Sequence, residues 1–138
     1  MDVQSKYAIK FVHALATVKS QFTELAQRIR LRSQVIRVLH SIESFMYQTH
    51  SAIEGYVDVE LDNGKGVAWL LDIGWDDNQW IIESRVVLND NVPRSTQETI
   101  KDFPTRTAET LDECIEQLLQ ATSELINSVD AIIATLIG

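Results

Sequence analysis

Asp72 and Glu83 are the residues whose types and spacing most directly suggest joint chemistry. They lie in LLDIGWDDNQWIIESR, residues 70–85, where two alternating runs flank a polar turn between Trp75 and Trp80. Counting outward from that turn sets Asp72 opposite Glu83 on adjacent strands, with Arg85 diagonal to Asp72 and two residues from Glu83. Carboxylates facing each other across a sheet repel, by about a few tenths of a kcal/mol on a wet face, and Arg85 can bridge both. A second grouping is His40, Glu43, Tyr47, His50 and Glu54, which recur at steps of three and four residues. On a helix they share one face, where imidazole and carboxylate donors can ligate zinc or a two-metal centre. The order differs from the Glu-x-x-His of two-metal bundles, and a solvated face of i,i+3 and i,i+4 pairs is the simpler expectation.

The side of the sheet that carries Asp72 and Glu83 gathers further charge. Asp58 and Glu60 join from the preceding strand, Ala68 and Leu70 from the strand of Asp72, and Ile81, Arg85 and Val87 from the strand of Glu83. Aliphatic residues ringed by acids suit a protein-docking surface, with charge steering a basic partner and the aliphatics supplying contact. The alternative is internal, with the chain's own Arg28, Arg30, Arg32 and Arg37 lying across the acids.

An Asp on one strand, an acid-x-base triplet (Glu83-Ser84-Arg85) on the next and flanking helices resemble the core of the PD-(D/E)XK nucleases, over residues 50–125. That resemblance implies a divalent metal held by Asp72 and Glu83, with Glu54 or Asp58 in support, activating water for hydrolysis. Arg85 stands where the family carries lysine, no proline precedes Asp72, and the strand that should follow the second helix is missing.

The elements that must position these groups follow from periodicity. No Pro or Gly occurs before Gly55. Phe11, Leu15, Val18, Phe22, Leu25 and Ile29 form a helical seam that Val35, Leu39, Ile42, Met46 and Ile53 continue after a slip of one residue. One straight helix over residues 4–53 would be about 70 Å long, against a radius of gyration of about 14 Å for a compact chain of this size. Residues 1–54 are therefore expected to be helical, broken into two helices near Arg30–Ser33. The rival assignment makes RIRLR and VIRVL short strands.

From Gly55 the period is two, with turns at Asn63-Gly64 and Asp77-Asn78. Keeping the apolar faces together requires a loop of three or five residues at the first turn. Residues 55–103 are expected to form an antiparallel meander of three or four strands, the fourth over residues 96–103. Pro104 with Thr105 or Thr107 then opens a helix over residues 105–138, whose seam is Leu111, Ile115, Leu118, Leu125, Val129, Ile132 and Leu136, widened by Leu119, Ile126 and Ile133. The fold class expected is α+β, one domain over residues 1–138, with the last helix packed on the sheet.

Composition bounds the function. The 138 residues are 45% hydrophobic and 23% charged, ordinary for a folded domain, and no segment approaches the length of apolar sequence that crosses a bilayer. Net charge is −8; residues 1–53 carry seven basic residues against three acids, so the acidity belongs to the rest of the chain. Such a charge repels nucleic acid. Cys114 is the one cysteine, which agrees with a reducing, cytoplasmic setting. Glycine-rich phosphate loops, nucleophile elbows and cysteine clusters are absent, and no cofactor is expected.

The leading expectation is a non-catalytic module that binds a basic protein through Asp58, Glu60, Leu70, Asp72, Ile81, Glu83, Arg85 and Val87. In size and acidity it is similar to bacterial immunity proteins and to type III secretion chaperones. The alternatives are the metal-dependent enzyme and a structural homo-oligomer built on the long helices, SVDAIIATLIG included.

Overall fold

A computed structural model describes residues 3–46, 51–89 and 97–137. The protein is α+β: helix α1 (Val3–Arg30), strands β1 (Val35–Met46), β2 (Ser51–Leu61), β3 (Gly66–Asp76), β4 (Gln79–Leu88), β5 (Thr99–Asp102) and β6 (Arg106–Ala108), then helix α2 (Leu111–Ile137). The strands form one antiparallel sheet in the order β1-β2-β3-β4-β5, with β6 also on β4. β5 runs beside Arg85–Val87 and β6 beside Trp80–Ile82, so the two short strands share one edge of β4.

The first helix follows its seam. Val18, Phe22, Leu25 and Ile29 are buried along one side, and the chain leaves the helix through a turn closed by Arg32 N to Ile29 O (3.0 Å) and Val35 N to Arg32 O (3.2 Å). The expected helical run to residue 54 is corrected here: residues 35–46 are a strand, and β2 already starts at Ser51. VIRVLHSI is rich in β-branched residues, which fit a pleated strand better than a helix. The seam of Val35, Leu39 and Ile42 is outweighed by pairing along the whole length of β2, from Val35 opposite Leu61 to Met46 opposite Ser51. The strand count rises accordingly from three or four to six.

The meander has the expected register. Residues 62–65 link β2 to β3; Leu61 N bonds Lys65 O at 2.9 Å, enclosing a three-residue loop, Asp62–Gly64, with Gly64 in the left-handed region (φ 87°), where only glycine is unstrained. Asp77 (φ 49°) and Asn78 (φ 62°) form the two-residue turn into β4, both in the left-handed region that such a turn needs. Trp75 and Trp80 pair directly across it, their rings edge to face with centroids 5.1 Å apart.

Both helices cover the same side of the sheet. Val57, Val59, Leu61, Val67, Trp69, Leu71, Ile73, Trp80, Ile82 and Val86 point into one core with Phe22, Leu25, Ile29, Leu118, Leu125, Val129 and Ile133. Gly55 lies close beneath α1: a Cβ there would be 3.2 Å from the Phe22 ring. Trp69 Nε1 donates to Ser128 Oγ (3.0 Å), which donates to Leu125 O (2.7 Å), so the buried indole N–H is satisfied. Thus Val18, Phe22, Leu25 and Ile29 of α1 and Leu118, Leu125, Val129 and Ile133 of α2 are buried within the chain, while Leu119 stays exposed.

The final helix starts later than Pro104 implied. Thr110 Oγ1 accepts from Glu113 N (3.2 Å), and the Glu113 carboxylate accepts from Glu109 N (3.0 Å), so Thr110 caps a helix that begins at Leu111 with acids in its first turn. Residues 106–108, expected as helix, are β6, whose Arg106 reaches across to α2 and donates to Gln117 (3.0 Å) and Gln120 (2.8 Å) and pairs with Glu124. At the other end of α2, Asn63 Nδ2 and Lys65 Nζ each donate to Leu136 O at 3.0 Å, supplying the cationic cap that the helix's own last turn lacks.

Candidate functional site

The side of the sheet away from the helices carries Asp58, Glu60, Leu70, Asp72, Ile81, Glu83, Arg85 and Val87. Its most regular feature is a row across four adjacent strands: Glu43 on β1 opposite Glu54 on β2, Glu54 opposite Asp72 on β3, and Asp72 opposite Glu83 on β4. Neighbouring strands are about 4.8 Å apart, so four carboxylate-bearing positions stand in line. Like charges so placed repel, and nothing in the folding of a sheet requires them.

The next row inward, on the same side, runs Ser41, Tyr56, Leu70, Arg85 and Asp102. Arg85 is thus diagonal to Asp72, as the turn count predicts, and faces a further acid on β5. A cleft of about 200 Å³ opens between these groups, lined by Asp72, Glu83, Arg85, Asp102 and Phe103. The third row holds Leu39, Asp58, Ala68 and Val87, and the fourth Arg37 and Glu60. Arg37 Nε lies 3.7 Å from the Glu60 carboxylate. Asn89 Nδ2 donates to Asp58 (3.3 Å) and accepts at its Oδ1 from Gln97 (3.0 Å). Arg37, Asp58, Glu60 and Asn89 border a second cleft of about 280 Å³.

The aliphatic members are not disposed as an exposed patch. Leu70 and Val87 are 3% and 1% exposed and form, with Ala68, a small second core against which Tyr56 packs. Ile81 is half-buried, Glu60 and Glu83 are exposed, and Asp58, Asp72 and Arg85 are intermediate. Of the arginines weighed for this side, Arg28 of α1 and Arg32 of the turn after it face Asp130 of α2, at 3.7 and 2.9 Å, whereas Arg37, on the edge strand, lies 3.7 Å from Glu60.

The second sequence grouping does not form. His40 and Glu43 are on β1 and Glu54 is on β2, while Tyr47 and His50 lie outside the described residues, so no helical face unites them. Two strands replace the helix, and His40 and Glu43 fall on opposite sides of β1. Among the described residues, no three His, Cys, Asp or Glu side chains are arranged to hold a metal ion. No described helix is long and apolar enough to cross a membrane.

Sequence reasoning missed Glu43, Arg37, Leu39, Tyr56 and Asp102 as members of this side. The signal for the first three was the alternation of Arg37, Leu39, Ser41 and Glu43 with Val38, His40 and Ile42, readable once residues 35–46 are taken as a strand. Cys114 is buried far from all of this, on α2, and burial pushes its thiol up to about 12.

No protein-family model matches the sequence, and no curated protein or solved structure matches it either.

Proposed function

We propose that the protein is a non-catalytic binding module that engages a basic protein partner through the acidic side of its sheet, in a cytoplasmic setting. The observation that supports this is the row of acidic positions 43, 54, 72 and 83 across four adjacent strands, a concentration of negative charge suited to a cationic partner. Asp58, Glu60 and Asp102 extend the negative field, and the half-buried Ile81 and Tyr56 supply the apolar contact that the buried Leu70 and Val87 do not. An immunity-like role (covering a basic toxin) and a chaperone-like or adaptor-like role both use this chemistry.

The test is affinity capture from the native host at low salt, with the chain and with a variant carrying Glu54→Gln, Asp72→Asn and Glu83→Gln. A basic protein held by the wild type, released by salt and not retained by the variant supports the reading. Equal retention by both, or no salt-labile protein, overturns it.

The direct opposition of Asp72 and Glu83 also favours a second reading, an enzyme with a divalent metal between them. Ligand that binds only the native state raises its melting temperature. Millimolar Mg²⁺ or Mn²⁺ should then raise it in the wild type and not in Asp72→Asn, whereas no shift removes this reading.

A further inference from the structure

β1 ends the sheet: β2 lies on one side of it, and no described strand lies on the other. Such an edge offers a row of unpaired N–H and C=O groups, and proteins blunt it or pair it. Here the register slips between Val35 and Arg37, which makes Ile36 a bulge and leaves a regular edge from Arg37 onward. Along that edge Leu39 is 53% exposed and the side chain of Arg37 66% exposed.

We propose that this edge is a dimer interface, in which β1 pairs antiparallel with β1 of a second copy about a two-fold axis at His40. The argument is self-complementarity. In an antiparallel pair of identical strands, residues opposite each other must agree in which way their N–H and C=O groups point, so the axis passes through a residue position. Centred on Leu39, the pairing sets Arg37 against Ser41; centred on Ser41, it sets Leu39 against the position of Glu43. Centred on His40, it sets Arg37 opposite the position of Glu43 twice, Val38 opposite Ile42 twice, and brings the two Leu39 residues diagonally together. Opposite charges meet on one side and β-branched residues on the other, the pairings that stabilise antiparallel strands.

The two copies of the acidic row give a second reason. Position 43 faces Glu54 within its own chain, and Asp72 and Glu83 follow in the same row. The second copy's Arg37 would arrive at the outer end of that row and add a cation there. Because the axis runs perpendicular to the sheet, the helices of both copies lie on one side and the two acidic sides join into one. This interface uses the sheet edge, not the ligand of the acidic side, so dimerisation and partner binding can fail separately.

Light scattering or sedimentation equilibrium of the full chain at low ionic strength tests it. The wild type should be a dimer; Arg37→Glu and Glu43→Arg should each weaken association by roughly tenfold or more, and the two together should restore it. A wild-type monomer, a dimer indifferent to both single changes, or a folded double variant that stays weakened overturns the proposal. Should a charge variant fail to fold, His40→Cys gives an independent reading. It should form an interchain disulfide under mild oxidation while the wild type, whose Cys114 is buried, should not. Absence of that covalent dimer overturns the two-fold register.

Discussion

Leu70 and Leu71 are neighbours on β3, yet they belong to different regions of the molecule. Leu71 faces the two helices and is part of a core that takes residues from both helices and most strands. Leu70 faces the other way and sits in a cluster with Ala68 and Val87, covered at its edge by Tyr56. One side of the sheet is therefore closed by two layers of apolar packing, whereas the other is a small apolar plug inside a ring of charge. The difference separates two kinds of surface. The helix side holds the main core, and the open side concentrates acids, some of them held by Arg37 and Asn89, around a small apolar cluster.

Truncations on the two sides should separate them. Leu71→Ala should lower unfolding free energy by about 3–4 kcal/mol, since its cavity is enclosed by helices and cannot collapse. Leu70→Ala should lower it by about 2 kcal/mol, because ring residues can settle into the space; urea unfolding of both variants measures the gap. Equal losses would break the contrast between the two sides. Arg106→Met removes the tie from β6 to Gln117, Gln120 and Glu124 and should reduce stability by about 1–2 kcal/mol, read by the same method. Glu83→Gln, at an exposed position opposite another acid, should change stability by no more than about 0.5 kcal/mol, or raise it slightly.

Cys114 sharpens the contrast from the helix side. Its thiol ionises at about 12 in the folded chain against an ordinary 9.0, because burial disfavours the thiolate. The unfolded chain thus releases this proton first. Stability linked to it is whole below about pH 9 and is lost as pH rises from there through about 12. Alkaline melting of the wild type should therefore fall more steeply over that window than melting of Cys114→Val.

Much of this was readable beforehand, and the reasons are local. The two turns have chemistry specific to their geometry: Gly64 where φ is 87°, and Asp77-Asn78 where both φ values are positive. Each fixes the strands beside it, and the opposition of Asp72 and Glu83 follows from the second. The helix seams at residues 18–29 and 118–136 are long enough that no strand competes. Residues 35–46 are different. Val35, Leu39, Ile42 and Met46 keep helical spacing, while the alternation of Val38, His40 and Ile42 also fits a strand, and the decision rests on pairing with β2, from Met46 opposite Ser51 to Val35 opposite Leu61. Pairing with another strand leaves no mark in a local period. Missing it hid Glu43, and with it the full acidic row, and it lent His40 and Glu54 a helical face they do not have. The burial of Leu70 and Val87 was equally hidden, because alternation places them on the side away from the helices without saying that the ring closes over them.

A basic partner, as proposed, would meet the side of the sheet that the helices leave open. Carboxyl labelling with carbodiimide, read by mass spectrometry on the free chain and on the captured complex, tests it directly. The account predicts that Glu60, Asp72 and Glu83 lose label in the complex while Glu24 and Asp112, on the helices, keep it. Protection of Glu24 and Asp112 with Glu60, Asp72 and Glu83 still fully labelled would contradict it.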